Sequence, residues 1–407
     1  MTACRRHGDS LFSDILLPVE TRAIRTQARE FAEAVLRPAA HRLNTTPESV
    51  QAFPRDIFNA MGAAGLYSVP FSKEAGGRGL EFPMLAALTV MEELAYFAPG
   101  VASALYDAQT LLVGKTLVAW PGPARDCWLP KLVRGEIVGS FATSEPAAST
   151  DLSVESIQTI ATPCDDGWRV TGRKRWITNS PVADLCLMLC RTEGSLTMFA
   201  IEMHAPGIRI GKPDLKMGNH AQLTADIELD GVFIPRDGVV GAQGKGLRVA
   251  LGALALGRMG IGAVGTAMAQ AAFDYAVRHM ENRSVFGRKL AQFQHWQLTF
   301  ADHALGIENA RSLYQKAAYR HDVDPASVEP QAAMAKIAGS EIAVVVARSA
   351  IQVCGAYGFV RELGATGEVF PLEAIYRDSK IGEIYEGANE VQRTIIARSI
   401  FGRSLVG

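Results

Sequence analysis

Apolar residues recur at near-helical spacing early in the chain. Val19, Ile24, Ala28, Phe31 and Val35 predict a helix over 19–37, which Pro38 is expected to stop. Phe53-Pro54 opens a second helix carrying Ile57, Phe58 and Met61, closed by Gly62 and Gly65. A glycine-rich loop, EAGGRG at 74–79, precedes helices at about 83–97, 101–119 and 124–134. The period changes at Gly135. Runs rich in β-branched and aromatic residues at 137–143, 157–162, 168–171, 185–191, 196–203 and 225–234 predict strands. DDG at 165–167, EGS at 193–195, APG at 205–207 and DG at 230–231 punctuate them, as expected of a small β-barrel or sandwich. Pro235 and GAQGKG at 241–246 end this region. Long Ala-rich patterns at 247–281, 291–322, 327–356, 368–380 and 389–402 then predict a helical bundle. Helices, strands, then helices, without βαβ alternation, predict an α+β chain rather than a doubly wound sheet. We divide it into an N-terminal α-helical domain (1–135), a middle β domain (136–243) and a C-terminal helical bundle domain (244–407).

Composition narrows the function classes. The 407 residues are 48% hydrophobic and 20% charged with net charge −1, so a large core is expected and nothing global attracts nucleic acid or an anionic membrane. The six cysteines, Cys4, Cys127, Cys164, Cys186, Cys190 and Cys354, form no C-x-x-C pair. Cys186 and Cys190 fall in LCLMLC, which reads as a buried strand, so reduced core cysteines are expected rather than a metal site. The N-terminus, MTACRRHGDS, has no apolar h-region. The most membrane-like stretch, Val249 to Phe273, is interrupted by Arg258 and rich in Gly and Ala, so it reads as a buried helix and no membrane span is expected. These signals lead us to expect a cytoplasmic protein, with a short organelle presequence left open.

Gly260, Gly262 and Gly265 match G-x-G-x-x-G, a pattern that can cradle a dinucleotide on a helix N-terminus. The preceding VALGALALG is no β-branched strand, and Asp274 and Glu281 lie in a helical pattern. Close helix packing around small residues is the favoured reading.

Five stretches carry candidate chemistry. FATSEPAASTD (141–151) follows a strand and makes a tight loop of small residues, whose backbone N–H groups and hydroxyls can bind oxygens. KRWITNS (174–180) puts a Trp and a Thr where they can flank a planar ring, unless the Trp is simply core. RSVFGRKLAQFQ (283–294) joins two helices, and its cations can meet phosphates or merely be solvated. QVCGAYG (352–358) ends a helix with glycines that permit close approach. RDSKIGEIYEGANEVQ (377–392) breaks at Gly387, with Glu386 on the bend. Asn389 reads as the N-cap of the restarted helix, with Gln392 three residues on. By periodicity alone Glu383, Glu386 and Glu390 form a solvated acidic face.

In this order the five stretches resemble the motifs of the acyl-CoA dehydrogenase family, from about residue 20 to 402. FATSEPAASTD is similar to T-E-P-x-A-G-S-D, KRWITNS to the W-I-T strand, and RSVFGRKLAQFQ to R-x-x-F-G…Q. QVCGAYG is similar to Q-x-x-G-G-x-G, and IYEGANEVQ to I-Y-E-G-T-x-x-x-Q. The resemblance implies FAD between the β domain and the bundle. Phe141, Thr143 and Ser144 would line the flavin edge, and Trp176 and Thr178 would cover one face. Arg283, Phe286 and Gln294, with Gln352 and Gly355, would reach the FAD of a neighbouring subunit, which implies a homo-oligomer, usually a tetramer. Ala388, Asn389 and Glu390 would lie near FAD after the bend. Glu386 would be the base that removes the α-proton of an acyl thioester while the flavin accepts the β-hydride, beside Tyr385. Burial would raise its pKa toward the working range. Its own backbone N–H would meet the enolate oxygen, and Gly387 would permit that approach. Thr150 would offer a hydroxyl to the thioester or pantetheine, and Gly257, beside Arg258, would leave space in the acyl pocket.

The chain departs from the family pattern at four places. Ser149-Thr150 stands for Gly-Ser, Ala356 for a glycine, and Ala388 for a threonine. Ala255 replaces an aspartate that usually helps hold CoA. The expected substrate is therefore an acyl-CoA, with an acyl group on a carrier protein in secondary metabolism as the alternative. An electron-transferring flavoprotein is the expected partner. An oxygen-using acyl-CoA oxidase or nitroalkane-oxidase-like relative and a non-catalytic flavin-binding interaction protein remain the other readings.

Overall fold

The computed structural model describes residues 6, 7, 11, 17–325, 328–402 and 404–406; Cys4 lies outside them. The principal helices of the first third are α1 (Val19–Phe31), α2 (Arg37–Thr45), α3 (Arg55–Ala63), α4 (Pro83–Ala95), α5 (Ala102–Lys115) and α6 (Pro123–Arg134). Pro38 does not stop the first helix. The chain is helical without a break from residue 19 to 45, and a π-type turn at Ala32–Leu36 shifts the hydrogen-bond register just before Pro38, so the helix runs through the proline. α4 is buried almost throughout, including Glu92 and Glu93. Arg25 bonds both carboxylates, at 2.6 and 2.8 Å, and Arg311 bonds Glu92 at 2.8 Å, so buried charge ties α1 and the later bundle to α4.

Eight strands form one sheet: β1 (Gly139–Ala142), β2 (Ile160–Cys164), β3 (Gly167–Thr178), β4 (Leu185–Thr192), β5 (Ser195–Glu202), β6 (Ile208–Ile210), β7 (Thr224–Pro235) and β8 (Val239–Val240). The order is β6-β7-β3-β2-β4-β5-β8, with β1 parallel to β4, so the sheet is open rather than a closed barrel, and a sandwich-like arrangement is the better description. β3 is longer than its apolar run predicts and carries KRWIT as its second half. Cys186 and Cys190 are buried in β4, and burial pushes both thiols up to about 12. Cys127 and Cys164 are exposed, which corrects the expectation that the cysteines are core residues.

The rest is helical: α7 (Gly246–Asn282), α8 (Gln294–Val323), α9 (Glu329–Cys354), α10 (Leu372–Ser379) and α11 (Asn389–Phe401). α7 and α9 are each long and apolar enough to cross a bilayer, but α7 runs through the protein interior with 72% of its most apolar window buried. Gly260, Gly262 and Gly265 lie within α7, so no strand precedes them. Their purpose is contact. A Cβ on Gly265 would sit 2.2 Å from the Gly339 carbonyl oxygen, and one on Gly339 would sit 2.3 Å from that of Gly262. Backbone on both helices blocks any relief. Gly265→Ala is therefore expected to lower stability by about 1–3 kcal/mol, read as a fall in the thermal midpoint.

Candidate active site

The chain leaves α10 through a 3₁₀ turn at Lys380–Glu383 and reaches a bend at Glu386 and Gly387 before α11 begins. Glu386 has φ +56° and Gly387 φ +88°. A left-handed backbone costs a glutamate roughly 1–2 kcal/mol, so the surroundings must hold it. Arg258 Nε donates to the Glu386 carbonyl oxygen at 3.3 Å, and Gln392 Nε2 donates to the Gly387 carbonyl at 2.8 Å. A Cβ on residue 387 would fall 2.7 Å from Gln392 Nε2 and displace that side chain, but it is the φ of +88° that calls for glycine there. The Tyr385 hydroxyl lies 3.1 Å from Ser103 Oγ on α5.

This geometry turns the Glu386 side chain inward. Its Oε2 is buried and has no hydrogen-bond partner. A Cβ on Gly257 would lie 2.8 Å from that oxygen, so the space this glycine leaves is taken up by the carboxyl group itself and not only by an acyl chain. Burial lifts the Glu386 pKa to about 7, against the opposing pull of Arg258 and Lys336. Arg258 is buried, with Nη1 3.9 Å from Glu329 Oε1, and burial lowers its pKa. Lys336, fully buried on α9, donates to Asn389 Oδ1 at 2.7 Å, and burial brings it down to about 8.

Asn389 therefore does not cap α11. Ala388 is the N-cap position, with no side-chain cap bond, and the Asn389 amide is committed to Lys336, Ser340 and Glu341. Glu390 is exposed, and Glu383 pairs with Lys380. The three glutamates thus have separate surroundings rather than one solvated face.

The loop at 141–151 is organised by a buried ion pair. Lys174 Nζ donates to Glu145 Oε1 at 2.8 Å and to the Thr143 carbonyl at 3.1 Å, with both charged side chains fully buried. Glu145 also accepts the backbone N–H groups of Gln158 and Thr159, at 2.6 and 3.0 Å. Burial alone would raise its pKa; Lys174 and these amides hold it below the usual range. Phe141 is half-buried on β1, Thr143 is buried, and Ser144 is half-buried with its carbonyl accepting from Arg175 N at 3.0 Å. Thr150 is exposed, as is Ser149.

Trp176 sits where the pairing of β3 with β7 shifts register, at φ +57°, and its side chain is 58% exposed. It is not a core Trp. Thr178 Oγ1 accepts from Gln222 at 3.0 Å. Phe286, at φ +50° and 96% exposed, tips a hairpin of β9 (Ser284–Val285) and β10 (Arg288–Lys289). Arg283, Gln294 and Gln352 are exposed, and Gly355 (φ +60°) is the open C-cap of α9. Trp176, Phe286 and Glu386 are three bulky residues with left-handed φ, and all three are sequence-predicted site residues; such strain gathers at functional sites. The structure joins Glu386, Gly257, Arg258 and Gly387 directly. No hydrogen bond or ion pair links Arg283, Phe286, Gln294, Gln352 or Gly355 to Glu386 among the described residues. Trp176 is 58% exposed, with Arg175 Cζ 5.9 Å from its ring centroid, and Phe286 is 96% exposed; each offers an aromatic surface of the kind a planar cofactor can use.

Two residues of this site carry no motif. Lys336 stands in AAMAKIAGS, where a lone lysine four residues before Ser340 in a small-residue helix is the available signal. Asp107 is buried on α5, with Oδ1 unpartnered, and burial and then Glu386 push its pKa well up. A lone aspartate inside GVASALYDAQTLLVG is the only sign of it in the sequence.

Comparisons with known proteins bear on this geometry. Sequence models described as the acyl-CoA dehydrogenase N-terminal, middle and C-terminal domains match residues 18–136, 140–232 and 244–401. The short-chain specific acyl-CoA dehydrogenase of Clostridium acetobutylicum is 35% identical over 396 residues, covering 95% of this chain and 100% of that one. Butyryl-CoA dehydrogenase from Megasphaera elsdenii superimposes with a TM-score of 0.89 at 31% identity, covering 95% of this chain and 99% of that one. A prolyl acyl carrier protein oxidase superimposes with a TM-score of 0.85 at 25% identity, covering 94% and 99%. Three domain matches in order, together with full-length relatives above 30% identity, place this chain in the acyl-CoA dehydrogenase family of flavoprotein oxidoreductases.

Proposed function

We propose that the chain dehydrogenates the Cα–Cβ bond of an acyl thioester with FAD, and that Glu386 is the base for the Cα proton. The observation that carries this reading is the Glu386 carboxyl, buried and unpartnered at Oε2 with a pKa of about 7. Bound FAD supplies the acceptor for the β-hydride. Phe141, Thr143 and Ser144 would line its ring, Trp176 and Thr178 would cover a face, and Ala388, Asn389 and Glu390 would border it. Arg283, Phe286, Gln294, Gln352 and Gly355 would serve the FAD of a second copy; their exposure supports a homo-oligomer.

Glu386 performs the proton step. Its carboxylate takes the Cα proton and holds it as the neutral acid, which the apolar burial favours. The Glu386 N–H would donate to the enolate oxygen, with no side chain at Gly387 to obstruct it. Arg258 keeps enough of the carboxylate ionised near neutral pH and fixes the bend through its bond to the Glu386 carbonyl. The names of the relatives favour a short acyl chain on CoA, and we assign an electron-transferring flavoprotein as the electron acceptor. Buried Ala255, where an aspartate usually assists CoA, and the likeness to a carrier-protein oxidase support a second reading, a carrier-bound acyl group. Anaerobic flavin bleaching scanned over acyl-CoA esters and carrier-bound acyl groups separates the two; if no acyl thioester bleaches the flavin, the dehydrogenase reading fails.

The raised pKa has a pH signature. Activity through the free enzyme should rise with pH and level off above about 7. Stability should move the other way. A carboxyl whose folded pKa lies above its unfolded value stabilises fully below about 4.5, and that contribution is lost as pH rises through about 7. Glu386→Gln is thus expected to melt higher than the wild type at pH 8, with the gap closing below pH 5; the same gap at both pH values would contradict the assigned burial.

A further inference from the structure

We propose that Asp107 is a specificity-determining residue of this site, and that its carboxyl group receives a hydrogen-bond donor, an ammonium or a hydroxyl, carried on the acyl chain about three to four bonds beyond Cα. The inference deepens the proposed dehydrogenation and rests on it.

Asp107 lies on α5, is only 2% exposed, and has buried Ser103, Tyr106 and Thr110 as well as Leu105, Ala108 and Leu111 near it along the helix. Its Oδ1 has neither solvent nor a hydrogen-bond partner. α5 is hydrogen-bonded in the π pattern, a rare geometry found often at functional sites.

The surface this carboxyl faces is the one Glu386 faces. A Cβ on Gly260 would lie 3.0 Å from Asp107 Oδ1, and one on Gly257 would lie 2.8 Å from Glu386 Oε2. The two glycines are three residues apart on α7, so they share a face and differ by about 4.5 Å along the helix. Four bonds of an extended hydrocarbon cover about the same rise. A chain whose Cα lies at Glu386 would therefore bring a substituent on C5 to Asp107. The other atoms near these glycines are apolar: Leu112 Cδ2 would be 3.0 Å from the Gly257 Cβ, and Met91 Cε 2.9 Å from that of Gly260.

What sets Asp107 apart is that its buried Oδ1 has no hydrogen-bond partner. Arg258 and Lys336 act on Glu386, whereas the one charged group acting on Asp107 is Glu386 itself, of like sign. A buried carboxyl without a cation or donor is costly to keep. A plain hydrocarbon tail would leave it unsatisfied; a tail bearing a donor would satisfy it. That asymmetry is how a polar pocket discriminates most strongly, by refusing the ligand that leaves its own group unpaired.

Calorimetric binding to the FAD-loaded protein tests this with three CoA thioethers that cannot be dehydrogenated: pentyl, 5-hydroxypentyl and 5-aminopentyl. At least one of the two donor-bearing ligands is expected to bind tenfold or more tightly than the pentyl compound. Asp107→Leu should abolish that preference. Asp107→Asn should keep a preference for the hydroxyl and lose one for the ammonium, which distinguishes the two donors. Retained FAD and an unchanged melting profile verify folding; should the Leu variant not fold, the comparison between wild type and the Asn variant decides. Wild-type protein that binds the pentyl compound as tightly as the others overturns the proposal, and so does a preference that survives in Asp107→Leu. If pentanoyl-CoA bleaches the flavin yet no preference is found, only the role of Asp107 falls. If none of the thioethers binds and no acyl thioester bleaches the flavin, the dehydrogenase reading falls with it.

Discussion

Glu386→Gln is expected to slow anaerobic flavin bleaching by about 10³–10⁴-fold, the upper part of the range for loss of a general base. Glutamine matches glutamate in shape, so the bonds from Arg258 and Gln392 to the bend survive, as they end on main-chain oxygens. The space at Gly257 still fits the side chain. What disappears is the group proposed to take the proton. FAD content should be unchanged, because no hydrogen bond or ion pair joins the Glu386 side chain to the residues assigned to FAD among the described residues. Stopped-flow bleaching and the ratio of flavin to protein absorbance give both readouts. A variant that bleaches at the normal rate would move the base elsewhere, and Asp107 would be the next group to examine.

The second large effect is expected at Lys174, whose bonds go to Glu145 and Thr143 rather than to Glu386. Lys174→Met leaves the fully buried Glu145 with two amide donors and no cation. Breaking a buried pair from one side costs about 3–5 kcal/mol. The cost falls on the segment from Thr143 to Thr159, since Lys174 also holds the Thr143 carbonyl. Phe141, Thr143 and Ser144 are on or next to that segment, so the variant should both melt lower and lose FAD on dilution. Lys174→Met with Glu145→Gln removes the stranded charge and should recover part of the stability. An unchanged melting point and flavin content in the single variant would show that the pair does not organise the loop.

The extent to which this architecture was legible depended on the reach of each signal. Period and turn residues located the helices and strands because these are local: the bundle helices begin and end within a few residues of the apolar patterns. Short strands such as β6 and β8, three and two residues long, have too little sequence for a period. Pro38 misled because the register shifts in a π turn just before it and the helix continues through the proline. Asn389 misled for a similar reason: a good capping residue was claimed by Lys336 across 53 residues of sequence. Glu386 was legible through Y-E-G and its burial was expected from the resemblance, but its conflict with any Cβ at 257 was not, because that requires α7 and the bend to meet. Asp107 and Lys336 have no motif at all; each is a single polar residue in a small-residue helix, and only tertiary packing gives either a function.

The most direct test of the central claim separates proton removal from redox chemistry. 3,3-Dimethylbutanoyl-CoA has protons on Cα and no hydrogen on Cβ, so it can be deprotonated but not dehydrogenated. Incubated with the holoenzyme in D₂O and followed by NMR, it should lose its α-proton signal far faster with the wild type than with Glu386→Gln, and the wild-type rate should rise with pH through about 7. Equal exchange by the two proteins would contradict the assignment of Glu386 as the base.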